Sequence, residues 1–176
     1  VREGDDDSRD RFWKTYTPRT AEEAAQVLDL LEEAAANDDG DVLFTCADPL
    51  KRAAAGRGLI LDRVTALLEG TSVKRDYDRS ELQEVLAAHG AEAGPELAER
   101  WIRLVEKSLK VNGIEALQAI NEGSLITALA RAPRDGRITS FFEAIVNTVE
   151  KAAPELRGNV QGLQCYQLIH KAPKKR

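Results

Sequence analysis

SLITALARAPRDGRITSFFEAIVNTVEK, residues Ser124–Lys151, lies without a gap over SELQEVLAAHGAEAGPELAERWIRLVEK, residues Ser80–Lys107, 44 positions earlier. Identical pairs include Ser80/Ser124, Ala88/Ala132, Glu99/Glu143, Val105/Val149, Glu106/Glu150 and Lys107/Lys151. The apolar positions coincide as well: Leu82 with Ile126, Val85 with Leu129, Leu97 with Phe141, Trp101 with Ile145, and Ile102 with Val146. Each copy reads as a short helix, a loop and a longer helix, with apolar residues recurring at three and four. A shift of 41 positions sets Ile60, Leu61, Val64 and Leu68 against Trp101, Ile102, Val105 and Leu109, so the echo continues upstream. A period of 40 to 44 residues lies in the range of helical-hairpin repeats. A hairpin with one apolar face cannot bury it alone, and stacking hairpins side by side makes a shared core. The expected fold is all-α: stacked helical hairpins in a short α-solenoid-like array, preceded by an irregular N-terminal arm.

The stretches before the echo fit that reading. TPRTAEEAAQVLDLLEEAAANDDG predicts a helix, because Thr20 and Glu23 spell a capping box, Ala24, Val27, Leu28, Leu31 and Ala35 form one stripe, and Gly40 lies after the last turn. DVLFTCADPLKRAAAGRG predicts a helix broken or ended near Pro49. LILDRVTALLEG predicts another, burying Leu59, Ile60, Val64, Leu67 and Leu68 and stopping at Gly70. TSVKRDYDR reads as a polar connection, with Ser80 and Gln83 capping the next helix, Gly94-Pro95 opening a long one, and Ser140 with Glu143 capping its counterpart. A last helix and a basic tail complete the chain. The expected division is an arm over 1–19 and a single helical repeat domain over 20–176.

Charge is distributed unevenly. Residues 1–48 hold 14 acidic and 5 basic side chains, whereas residues 49–176 hold 16 acidic and 20 basic, so an acidic arm precedes a mildly basic body. VREGDDDSRDR reads as a disordered arm. Phe12, Trp13 and Tyr16 follow it and concentrate scarce aromatic area, suited to docking on the chain's own body or anchoring a partner. No window reaches the ~18 apolar residues of a transmembrane helix. The chain starts at Val1 and contains no Met, an appearance that a cleaved targeting peptide or a trimmed start would leave.

Little of the residue inventory points to catalysis. Cys46 and Cys165 stand apart from any metal-ligand spacing and read as small core residues; His89 and His170 read as capping or surface histidines. Phosphate-loop and nucleophile-elbow motifs are missing from the sequence, and the acidic pairs Asp76/Asp78 and Asp38, Asp39 and Asp41 fall in stretches read as solvated loops. No enzyme, cofactor, metal or small-molecule substrate is expected. For nucleic acid, Arg131, Arg134 and Arg137 cluster on one repeat loop, and Lys171, Lys174, Lys175 and Arg176 form the tail; these are the candidate RNA-binding residues. Aromatic residues for base stacking are few. A helix-turn-helix over 80–110 is disfavoured, because PELAERWIRLVEKSL is too apolar for a groove-facing helix.

SLITALARA, FFEAIVNTVEKA and VQGLQCYQLIHKA succeed one another in an order that resembles the degenerate helical repeats of organellar proteins, the octatricopeptide and heptatricopeptide classes and the repeats that precede RAP domains. The resemblance spans about residues 80–173. It implies a structural role in a large mitochondrial or plastid ribonucleoprotein, a mitochondrial ribosome foremost, with protein subunits and RNA as expected partners. The alternative expectation is an accessory subunit of a respiratory or ATP synthase complex that touches only protein.

Overall fold

The computed structural model describes residues 12–117 and 122–151. Among them the chain is all-helical: α1 (Ala21–Ala36), α2 (Gly40–Lys51), α3 (Arg57–Glu69), α4 (Asp76–His89), α5 (Pro95–Asn112), α6 (Ser124–Arg131) and α7 (Gly136–Lys151), with 3-10 turns at Gly90–Glu92 and Gly113–Leu117. No helix among the described residues is long and apolar enough to cross a membrane. The range 20–176, expected as one domain, divides into two compact units, Val1–His89 and Gly90–Arg176. That boundary falls inside the first copy of the echo, between residues 89 and 90.

In the first unit α1 is fixed as the sequence dictates. The Thr20 hydroxyl accepts from the Glu23 backbone N–H at 3.1 Å, and the Glu23 carboxylate accepts from the backbone N–H groups of Thr20 and Arg19 at 3.2 and 2.6 Å. Three otherwise unbonded donors are thereby satisfied at one helix end. Thr20→Ala is expected to cost about 1 kcal/mol, read as a lower urea midpoint at unchanged slope. The helix ends at Asn37, not at Gly40; Asp38 takes the left-handed conformation, at φ 57°, which aspartate tolerates. Asp39 then caps α2 by accepting from the Val42 N–H at 3.1 Å, and Gly40 opens that helix. Pro49 lies inside the last turn of α2, which ends two residues later.

The hairpins α1–α2 and α3–α4 stack with α1 against α3 and α2 against α4. Leu28, Leu31, Leu43, Leu50, Ile60, Leu61, Leu68, Leu82 and Leu86 fill the shared seam, each no more than 2% exposed. A side chain of that kind contributes about 1.5–3 kcal/mol when buried. The α3 stripe differs from the expected one: Leu61 and Thr65 are buried and Leu59 is 40% exposed, because the helix turns its 60/64/68 row inward and Leu61 flanks that row more closely than Leu59. Two ion-pair clamps join the helices. Arg63 on α3 binds Glu32 on α1 through two nitrogens, at 2.7 and 2.6 Å, and Asp29 at 2.7 Å. Lys51 on α2 binds Glu81 and Glu84 on α4, at 2.8 and 2.6 Å. Burial opposes the Lys51 charge, but the hydrogen bonds to both carboxylates outweigh it and raise its pKa.

Helix α4 starts at Asp76, four residues before Ser80, so the caps proposed at Ser80 and Ser140 are both interior helical residues. Asp76 and Asp78 lie in its first turn, where the positive end of the helix dipole suits carboxylates. In the second unit Pro95 opens α5 in its first turn, as expected, and Gly113, at φ 60°, closes it. The start of α7 is set by Asp135, whose carboxylate accepts from the Ile138 N–H at 2.8 Å. Helices α6 and α7 both pack on α5, and the Gly90–Glu92 turn packs on α6. Trp101, Ile102, Val105, Ile126, Leu129, Ile138, Phe141 and Ile145 are buried.

Candidate functional site

The aromatic segment after the arm is fastened to the first unit. Residues 12–15 form one helical turn, and the Arg52 guanidinium donates to the carbonyl oxygens of Trp13 and Tyr16, at 3.1 and 3.2 Å, while its other terminal nitrogen pairs with Asp48 at 2.6 Å. The Ala54 N–H donates to the Pro18 carbonyl at 3.0 Å. Phe12 stacks on Tyr16 with ring centroids 5.0 Å apart, and Trp13 meets both rings edge-on. Phe12, Trp13 and Tyr16 therefore sit on the chain's own body, with Phe12 still 53% exposed.

Beside this segment runs a groove of about 610 Å³. Trp13 and Lys14 line it from the N-terminal side, Asp41, Phe44 and Asp48 from α2, and Arg75, Tyr77 and Asp78 from the start of α4. Phe44 and Tyr77 stack with centroids 6.3 Å apart, and both are exposed. Gly40 permits the approach of α4 here: a methyl group on it would stand 2.8 Å from an Arg75 guanidinium nitrogen and 3.0 Å from an Asp78 carboxylate oxygen.

The charges divide into committed and uncommitted groups. Asp48 is paired with Arg52. Arg75 donates to the Asp38 carbonyl at 3.0 Å and faces its carboxylate at 3.6 Å. Asp78 is 5% exposed, and among the described residues its carboxylate has no hydrogen-bond or ion-pair partner. Asp41 and Lys14 complete the lining with one charge of each sign. The result is an aromatic groove lined by a carboxylate, Asp78, that has no hydrogen bond or ion pair among the described residues and stands near the Arg75 guanidinium.

Of the residues singled out for RNA, Arg131, Arg134 and Arg137 lie among the described residues. Arg137 is held by Glu99 at 2.8 Å and Glu106 at 3.2 Å, hydrogen bonds that raise its pKa. Arg131 is also engaged within the protein, and Arg134 is exposed. Lys171, Lys174, Lys175 and Arg176 lie outside the described residues, as do Cys165 and His170. His89 is a buried residue whose Nε2 bonds the Leu50 carbonyl at 2.7 Å, so it ties α4 to the end of α2 and is no surface histidine.

Cys46 is buried on α2, as expected of a core residue; burial first, and Asp39 second, push its thiol up to about 11. A raised thiol pKa favours the fold fully below the unfolded value of 9.0 and loses that contribution as pH climbs toward 11. In a Cys165→Ser background, Cys46 is expected to resist a disulfide reagent at pH 8 and to react only on unfolding. Stability should fall by about 1–2 kcal/mol between pH 9 and 11, followed by urea titration, and Cys46→Ala should reduce that fall.

The groove was missed in the sequence because its walls come from three separated stretches. A signal was present: Phe44 and Tyr77 are large aromatics, and Tyr77 lies across its helix from the apolar positions Leu82 and Leu86. No family model matches the chain, and no curated protein and no solved structure matches it either.

Proposed function

We propose that the chain is a non-catalytic helical scaffold component of a large organellar assembly, docking onto a protein neighbour through the groove of its first unit. The observation that carries this is the exposed Phe44–Tyr77 stack beside Trp13 in the groove. Aromatic area that stays in water at the rim of a groove is of the kind that anchors protein interfaces. Among the described residues the cysteine, Cys46, is buried with a raised pKa, and the histidine, His89, bonds a backbone carbonyl.

The first setting is a ribonucleoprotein of the mitochondrial-ribosome type, on the strength of the repeat resemblance over 80–173. A protein-only accessory role in a respiratory or ATP synthase complex is the second reading. It is favoured by the engagement of Arg137 with Glu99 and Glu106, which lowers the free positive charge offered to phosphates. Docking is tested with a Phe44→Ser/Tyr77→Ser double variant, in which both side chains are exposed and the fold should persist. The variant should fail to co-sediment with the high-mass assembly that carries the wild-type chain; co-sedimentation at the wild-type level would overturn the reading. The setting is tested by binding ribosomal RNA fragments over a salt series, where a near-zero slope of log affinity against log salt assigns the protein-only role.

A further inference from the structure

We infer that the groove receives an arginine side chain, carried on a basic segment of the protein partner, with Asp78 as the carboxylate that takes the guanidinium. The inference rests on the docking reading above and names the chemistry of its partner. The Asp78 carboxylate has no hydrogen bond or ion pair among the described residues, its oxygens stay in touch with solvent, and it lines the groove, so a cationic side chain entering from solution can pair with it directly. The groove also offers the rings of Trp13, Phe44 and Tyr77.

A guanidinium answers both features at once. It is planar, weakly hydrated and stacks on aromatic faces, while its paired N–H groups match a carboxylate; an ammonium group supplies only the charge. An anionic ligand is disfavoured, because Arg75 is already committed to Asp38 and Asp41 offsets Lys14. A volume of about 610 Å³ exceeds one side chain and suits a short stretch of peptide.

The probe is a fluorescently labelled, amidated heptapeptide with a central arginine among alanine and serine, titrated against the full chain, alongside lysine and citrulline counterparts. The arginine peptide should bind at least about tenfold more tightly than the citrulline one and about threefold more tightly than the lysine one. Asp78→Asn should cost about tenfold in affinity for the arginine peptide and leave citrulline binding unchanged. Without peptide this variant should melt within a few degrees of the wild type, since it changes one groove-lining group at constant shape. Should it not fold, Tyr77→Ala, on an exposed ring, should weaken arginine binding about threefold.

Equal binding of the arginine and citrulline peptides, no effect of Asp78→Asn, or no arginine binding up to about 5 mM would each overturn the inference. Arginine binding that emerges only after Arg9 and Arg11 are replaced by alanine would assign the groove to the chain's own arm, and overturn it as well. Failure of the Phe44→Ser/Tyr77→Ser variant to assemble, together with indifferent peptides, would leave the scaffold reading standing and remove arginine alone.

Discussion

Gly90→Ala is expected to destabilise the second unit by about 3 kcal/mol, although it adds a single methyl group. That methyl would stand 2.5 Å from the Ala128 carbonyl oxygen, 3.1 Å from its Cα and 3.2 Å from its carbonyl carbon. These are backbone atoms of α6, and the carbonyl is further fixed by accepting from the Ala132 N–H at 3.0 Å. No flexible side chain can give way, so either the Gly90–Glu92 turn or α6 must move as a body, which opens the contact between them. Urea unfolding followed by far-ultraviolet circular dichroism measures the loss. Gly136→Ala is the control, because nothing lies within 4 Å of a methyl group there and the helix gains a better former at its exposed first position. Its midpoint should shift by no more than about 0.5 kcal/mol in equivalent stability. Equal effects of the two substitutions would show that the 90/128 approach is looser than the structure draws it.

Gly90 illustrates which features a sequence displays and which it conceals. As the residue after a helical stripe it reads as a stop, and α4 does end at His89. That it must also admit the backbone of a helix 38 residues downstream is a long-range fact with no local signature. The capping box at Thr20, the stripe of α1, the bounds of α6 and the Gly94-Pro95 start of α5 were legible, because each is decided within one or two helical turns. The starts of α4 and α7 were misread for a related reason. A Ser with an acid or amide three residues later imitates a cap, whereas the bonds that decide the start of α7 come from Asp135, and polar first-turn residues at Asp76 and Tyr77 look like loop. The groove was invisible for a different reason: Asp78 is buried by the approach of Gly40 and Arg75, which only the stacking of the two hairpins brings about.

The echo itself makes a sharper claim. Trp101 and Ile145, 44 residues apart, are 0% and 4% exposed, and the paired positions Leu82/Ile126, Val85/Leu129 and Val105/Val149 are buried in both copies. The repeated register thus fixes which face of each helix turns inward. It does not make the positions equal in weight, because α5 is the helix on which α6, α7 and the Gly113–Leu117 turn all pack, and Trp101 is its largest buried side chain. Trp101→Ala should therefore cost about 3–5 kcal/mol, near the upper end for a large-to-small change, and Ile145→Ala about 2 kcal/mol. Trp101→Phe should recover more than half of the difference by keeping most of the volume. Fluorescence supplies the second readout, since the chain holds two tryptophans: in Trp101→Ala the remaining emission comes from Trp13, at the partly exposed groove, and should lie to the red of the wild type. A loss below about 1 kcal/mol for Trp101→Ala would mean that the site collapses freely around the missing ring. In that event the shared period would describe an amphipathic pattern alone, and α5 would not be the core element of the second unit.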